Sequence, residues 1–392
     1  VSESTVLDVF LVLVILGYVG YGIRAGLSHA LFAFGGVVAG GVAAFFLVPI
    51  VAAWVPLAEI RPVVTVAVVL VLLALGTTAG AVLGRLARSG VEDTPLSGID
   101  RLAGGLATGV AAALIASVVA TSVAQLGIPP LSRAIAGSAV LRTIGTVTPD
   151  PVEAWLAQLR AGLIDSGLPV VTDAFGIGEP VIPSIDAGSP ELTAAAQSVV
   201  RITGNAFACG VAQSGSGFVV SDDRVVTNAH VVAGVTEPVI ETPGGQAIAG
   251  TVVYFDPIVD LAVIAVPGLD PEPLPLGDTA QPGTDAAVQG YPFGGPFTSI
   301  PAGVMNVGVV SVDDIYEISR SPREIYTLAS DVNQGNSGGP VLSLNGEVIG
   351  VVFAKSADTS RIGYAATMAE LDPVADAAAG LTADVSTGQC IR

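Results

Sequence analysis

The hydrophobic positions divide the chain into two kinds of sequence. Up to about residue 126 they form long, nearly unbroken apolar runs. Beyond about residue 204 they come in short β-branched bursts separated by Gly, Pro, Asn and Asp. A helix needs about 20 mainly apolar residues to cross the hydrocarbon core of a bilayer. Residues 6–23, 31–54, 63–84 and 102–126 each meet that length and predict an all-α bundle of four transmembrane helices over residues 1–128. Gly36-x-x-x-Gly40, Gly76-x-x-x-Gly80-x-x-x-Gly84 and Gly105-x-x-x-Gly109 place small residues on one helix face, which suits close packing in a bilayer. Asp8 is the one ionisable residue inside a run, near its end, which argues against an ion path. The first run lacks a basic leading segment and is followed by further runs, so it reads as a retained helix rather than a cleaved signal. Arg24, Arg85, Arg88 and Arg101 follow the first and third runs, against Arg61 alone after the second. Basic loops stay on the cytoplasmic side, so both termini are expected on the extracytoplasmic side.

Residues 129–198 are less apolar and repeatedly interrupted by Pro. They read as a connector with a short amphipathic helix at 151–163, carrying Trp155, Leu156, Leu159 and Leu163 on one stripe. A flexible tether at 176–190 and a helix at 191–200 follow. The simplest reading is a spacer; the alternative is a segment that docks on the next domain and regulates it, or is cut. From residue 199 onward, bursts such as SGFVVS, GTVVYF, LAVIAV and EVIGVVFA with regular turn punctuation predict an all-β barrel or sandwich domain over 199–392.

Composition sharpens this picture. The chain holds 34 acidic and 15 basic residues, and nearly all the excess lies beyond residue 128. Such a surface does not suit nucleic acid, which needs clustered Lys and Arg. Two Cys and two His leave no ligands for a zinc finger, and no metal or cofactor is expected. If the acidic part lies in an oxidising compartment, Cys209 and Cys390 are expected to form a disulfide; two unlinked thiols are the alternative.

Three segments carry chemistry: Thr227-Asn-Ala-His230, Asp256-Pro-Ile-Val-Asp260-Leu-Ala-Val, and Gly335-Asn-Ser337-Gly-Gly-Pro340. A serine hydroxyl is a poor nucleophile until a base takes its proton. His230 is the only imidazole after His29, so it is the one candidate base in this part of the chain. A carboxylate would orient that imidazole and stabilise its charged form. Asp260 and Asp256 both offer one, although Asp256 precedes Pro257 and reads as turn chemistry. Gly335 allows a bend that turns the N–H groups of Gly335 and Ser337 toward one point, as an oxyanion needs.

In this order the three segments resemble the trypsin-like serine proteases, most closely the bacterial HtrA-type branch. The resemblance implies an all-β double-barrel domain with a His230, Asp260 and Ser337 triad. His230 and Asp260 would come from one barrel and Ser337 from the other. It selects Asp260 as the acid because the family's acid directly precedes Leu-Ala-Val. It also puts Asp331, six residues before the nucleophile, at the base of the primary specificity pocket. A buried acid there would favour Lys or Arg in the substrate; the alternative is that Asp331 hydrogen-bonds loop backbone. Asn336 stands where digestive-type relatives have the Asp that pairs with a new N-terminus, so activation by that route is not expected. The 55 residues after Ser337 hold two strands and a helix near 368–379, and no PDZ domain is expected among them.

The first 128 residues resemble the colicin V production family through Asp8, the Gly20-Tyr-Gly22-x-Arg24-x-Gly26 stretch and Asp100-Arg101-x-x-Gly104. Taken whole, the chain resembles the membrane-anchored acid-resistance serine proteases of mycobacteria and related actinobacteria. That implies a multi-pass membrane protein with an extracytoplasmic endopeptidase domain. Its partners would be the lipid bilayer and protein substrates of the cell envelope, such as peptidoglycan hydrolases, cut during acid or oxidative stress. The competing readings are a non-enzymatic membrane scaffold or peptide-binding module, and a channel with an accessory domain.

Overall fold

The computed structural model describes residues 3–54, 61–92, 97–124, 129–161, 169–171, 179–206 and 211–391. It divides into two compact units: Asp8–Ser117, and Val118–Arg392 together with the first seven residues.

The first unit is helical. Helix α1 spans Glu3–Trp54, α2 Arg61–Glu92 and α3 Ser97–Ala124. Within α1 the first two apolar runs are two helical segments that meet without an intervening loop at Gly26, which has φ 78° and ψ 160°. A side chain at Gly26 would also collide with Asp100, so only Gly fits the break. Asp100 Oδ1 accepts from both Ser28 N (2.9 Å) and Ser28 Oγ (2.7 Å), capping the helix that restarts after Gly26. The small residues act as the sequence indicated: Gly36 abuts the backbone of Gly76, and Gly80 abuts that of Phe32. Two helices, Ser4–Gly41 and Ser97–Ala124, are long and apolar enough to cross a membrane among the described residues.

The second unit starts with connector helices α4 (Pro129–Ala136), α5 (Ala139–Val147) and α6 (Asp150–Ala161). Of the stripe expected on α6, Leu156 is half-buried but Trp155 is not packed, and the Leu159 side chain lies outside the described residues. Trp155 is exposed, while Ala157 is buried with its methyl against the turn at Gly295. Leu163 and residues 176–178 of the expected tether lie outside the described residues; the remaining tether residues, 179–189, carry no helix or strand, and Ile185 packs against the domain core. The helix expected at 191–200 is shorter: α7 covers Pro190–Ala195, and Val199 already begins a strand. Ser189 caps α7 through Leu192 N, and the β-branched pair Val199-Val200 favours extended backbone.

Two seven-stranded sheets follow. The first contains β2 (Val199–Ala206), β3 (Val211–Ser221), β4 (Arg224–Thr227), β5 (Val239–Glu241), β6 (Ala247–Ala249), β7 (Thr251–Asp256) and β8 (Leu261–Ala265), in the order β6-β5-β2-β3-β4-β8-β7. The second contains β1 (Val170–Val171), β9 (Asp285–Gly290), β10 (Thr298–Asp313), β11 (Arg320–Ala329), β12 (Pro340–Ser343), β13 (Val348–Ser356) and β14 (Ile362–Thr367). Its order is β1-β13-β12-β9-β10-β11-β14, and β13 pairs with β14 again, closing a six-stranded barrel. A closed sheet has no free edge strand among its members. Helices α8 (Ala229–Val232) and α9 (Met368–Ala378) lie after β4 and β14. Phe218, Val226, Leu261 and Val263 of the first sheet share one core with Leu342, Val351 and Leu371 of the second sheet and α9. That shared core fixes one sheet against the other.

Candidate active site

His230 sits in the one-turn helix α8, directly after β4. Asp260 lies immediately before β8, beside β4 in the sheet. The antiparallel pairing of β4 with β8 therefore brings two residues 30 positions apart into contact. His230 Nδ1 is 2.7 Å from Asp260 Oδ2, and His230 N donates to Asp260 Oδ1 at 2.9 Å. The carboxylate thus grips both the ring and the main chain of His230. Asp260 takes φ 59°, a left-handed conformation that Asp tolerates better than most residues. Asn228, the residue before α8, donates its amide to Asp260 O at 2.8 Å and locks the two segments together. Asp256 is elsewhere occupied, its Oδ1 accepting from Ile258 N and Val259 N in the turn. All three groups are buried, with His230, Asp260 and Ser337 at 6%, 3% and 3% exposure.

Ser337 lies in the turn that enters β12. Its Oγ makes no hydrogen bond among the described residues, so the bond from Ser337 to His230 is not made here. Catalytic bonds of this type are commonly long without substrate and tighten when it binds. Gly335 has φ 93°, and a Cβ there would lie 2.4 Å from Tyr291 O. Each peptide of the turn is held by its carbonyl. Gln334 O accepts from Phe293 N, Asn336 O from Gly339 N (2.9 Å), and Ser337 O from Ser216 N (2.8 Å). The N–H groups of Gly335 and Ser337 themselves are not taken by any group among the described residues. An oxyanion needs free donors of this kind beside the nucleophile.

Asp331 is exposed, and its main-chain O accepts from Asn333 Nδ2 at 2.9 Å. A buried acid at a pocket base is therefore not what this residue supplies; the local turn carries its carboxylate to the surface. Asn336 is buried, and its Oδ1 accepts from Asn333 N at 2.9 Å. Cys390 is disulfide-bonded and its Sγ lies against Gly234, four residues after His230. The chain's other cysteine, Cys209, lies outside the described residues. The C-terminal tail is also sewn to this region by Gly234 N to Thr387 O and Val385 N to Val252 O, both 3.0 Å.

Several participants carry no strong mark in the sequence. Arg323 on β11 is buried, stacks 4.6 Å from the Phe353 ring centroid, and has no partner for Nε and Nη2 among the described residues. Burial pushes its pKa down, against the pull of the Asp260, Glu370 and Asp256 carboxylates. Arg201 pairs with Glu241 across β2 and β5 and donates Nη1 to Gly294 O at 3.2 Å. Tyr291 stacks beside it, and burial pushes its phenol to about 12. Ser216 and Asn228 had a signal: Ser216 opens the SGFVVS burst and stands between two glycines, and Asn228 lies inside the motif that ends at His230.

A β-rich domain of two sheets with this site defines a trypsin-like serine protease. Residues 215–351 match the family model described as trypsin-like peptidase domain, and residues 7–149 match that of colicin V production protein. The chain is 36% identical over 380 residues to serine protease Rv3671c of Mycobacterium tuberculosis, covering 94% of both chains. It belongs to that family of HtrA-related, membrane-associated serine proteases. It is also 36% identical over 169 residues to the putative serine protease HhoB of Synechocystis, over 42% of this chain and 39% of that one. The solved structure of the Rv3671c protease in its active form is similar with a TM-score of 0.52 and 41% identity, covering 57% of this chain and all of the other.

Proposed function

We propose that this protein is a membrane-anchored, extracytoplasmic serine endopeptidase that works through His230, Asp260 and Ser337. The observation that carries the reading is the doubly bonded His230–Asp260 pair beside the free N–H groups of Gly335 and Ser337. In this reading Asp260 holds the proton on His230 Nδ1, which leaves Nε2 free to accept the Ser337 proton. Ser337 Oγ attacks the scissile carbonyl, and the carbonyl oxygen takes the negative charge between Gly335 N–H and Ser337 N–H. His230 then gives its proton to the leaving amine, and water hydrolyses the acyl-enzyme by the reverse sequence. Each hole donor is worth about 3–4 kcal/mol of barrier in comparable sites.

The four apolar runs serve as four membrane passes, with both termini and the protease domain outside. The break at Gly26, between the first two runs, and the span-length helices Ser4–Gly41 and Ser97–Ala124 support this topology. Cys390 pairs with Cys209, the one cysteine left to it. Substrates are proteins of the cell envelope, peptidoglycan hydrolases among them, and the activity serves acid or oxidative stress. Asp331 gives at most a weak preference for basic residues, because an exposed carboxylate is screened by solvent. The test is hydrolysis of casein by the full chain in detergent, compared with Ser337→Ala and His230→Ala. Equal hydrolysis by the wild type and both variants refutes the mechanism. Cleavage of purified envelope proteins, mapped by mass spectrometry, tests the substrate class.

A further inference from the structure

Ser216 belongs to the first sheet, yet its three polar atoms act on the second sheet's turn and on the first sheet's own β4. It is wholly buried on β3. Its N–H donates to Ser337 O at 2.8 Å. Its Oγ donates to Gly335 O at 2.6 Å and accepts from Tyr291 N at 2.9 Å. Its carbonyl accepts from Thr227 Oγ1 at 2.7 Å. A hydroxyl has one proton to give, and here that proton is committed to Gly335 O.

We propose that Ser216 is a positioning residue that fixes the oxyanion-hole peptides through Gly335 O and Ser337 O. The inference rests on the reading of Gly335 and Ser337 as the hole. The peptide joining Gly335 to Asn336 lies between the two peptides whose N–H groups face the oxyanion. Glycine resists rotation least of all residues, so Gly335 needs an outside anchor to hold φ at 93°. Ser216 Oγ supplies it from the opposite sheet. The same oxygen holds Tyr291 N, at the start of the turn whose Phe293 N–H fastens Gln334 O. One hydroxyl therefore acts on the hole twice, directly at Gly335 O and indirectly at Gln334 O. Arg201 secures the far end of that turn at Gly294 O.

The experiment uses the full chain in detergent with a fluorogenic peptide amide that the wild type cleaves. Ser216→Ala is expected to lower kcat tenfold to a hundredfold with KM within threefold, because donors aimed at the oxyanion act in the transition state. The rate of fluorophosphonate labelling should fall in parallel, since the phosphonyl oxygen occupies the same hole. The pH midpoint of kcat should stay in place, because His230 and Asp260 are untouched. Thr227→Val is the control: it removes a hydrogen bond from the same buried network without freeing a hole carbonyl, and should keep kcat within threefold. Ser216→Cys keeps a weak donor and should fall between the wild type and Ala; it alone suffices if the Ala variant does not fold. Unchanged kcat in the Ala or Cys variant overturns the proposal. An equal kcat loss in Thr227→Val also overturns it, by making the effect one of packing. A folded wild type that neither labels nor cleaves defeats the hole reading instead, which separates the two failures.

Discussion

Asp260→Asn is the most informative single substitution at this site. The carboxylate accepts two bonds from His230, one from the ring Nδ1 at 2.7 Å and one from the backbone N at 2.9 Å. An asparagine has one acceptor oxygen and one donor amide, so it can satisfy only one of those two donors. If the oxygen keeps the ring, the amide faces the backbone N–H. If the oxygen keeps the backbone, the amide donates to Nδ1 and drives the proton to Nε2, where His230 can no longer act as base. Either way the imidazolium formed during catalysis loses its buried counter-charge. A hydrogen bond to a charged group contributes about 1.5–3 kcal/mol. Two such bonds and the charge place the loss near 4–6 kcal/mol of barrier, or roughly a thousandfold to ten-thousandfold in kcat. Asn tolerates the left-handed backbone at this position, so the fold survives. The assay is kcat on the full chain, with a melting curve to verify folding. A folded variant within tenfold of wild type would falsify the role given to Asp260.

The other expectations concern the hole, the tail, specificity and alkaline pH. Gly335→Ala puts a Cβ 2.4 Å from Tyr291 O at φ 93°, so activity should fall at least a hundredfold and the melting temperature should drop; a fully active variant contradicts the geometry. Cys390→Ser removes the disulfide at Gly234 and should cost about 2–4 kcal/mol in denaturant unfolding; an unchanged midpoint under oxidising conditions contradicts it. Asp331→Asn should change the ratio of Lys to Leu cleavage in a peptide panel by less than tenfold, since the carboxylate is exposed. Tyr291 and Tyr254 are both pushed to about 12, by burial first. The native state then holds protons that the unfolded chain releases near pH 10. Stability should fall as pH rises from about 10 toward 12, and phenolate absorbance should lag that of the denatured protein.

Local pattern revealed much of this protein. The apolar runs located the helices, and the β-branched bursts located the strands, because each depends on short-range periodicity. His230 stood out as the last imidazole in the chain, and the order of the three short motifs brought Asp260 and Ser337 into view through their resemblance to trypsin-like proteases; the contact between His230 and Asp260 is what the pairing of β4 with β8 adds. What stayed hidden depends on contacts between distant segments. The joining of the first two runs across Gly26 depends on Asp100, 74 residues later, which caps the restart. The inward turn of Ala157 instead of Trp155 depends on a turn at Gly295. The surface position of Asp331 is set by the path of its loop, which a fixed offset from the nucleophile does not reveal. Ser216 is hardest of all to read, because its partners lie 75, 119 and 121 positions away.

The central claim is that Ser337 is a nucleophile activated by His230. The direct measurement is fluorophosphonate labelling of the full chain in membranes under oxidising conditions, with the modified residue identified by mass spectrometry. The account predicts one phosphonylated residue, Ser337, with labelling abolished in Ser337→Ala and reduced at least a thousandfold in His230→Ala. Labelling at another residue, or none from protein shown to be folded, contradicts it.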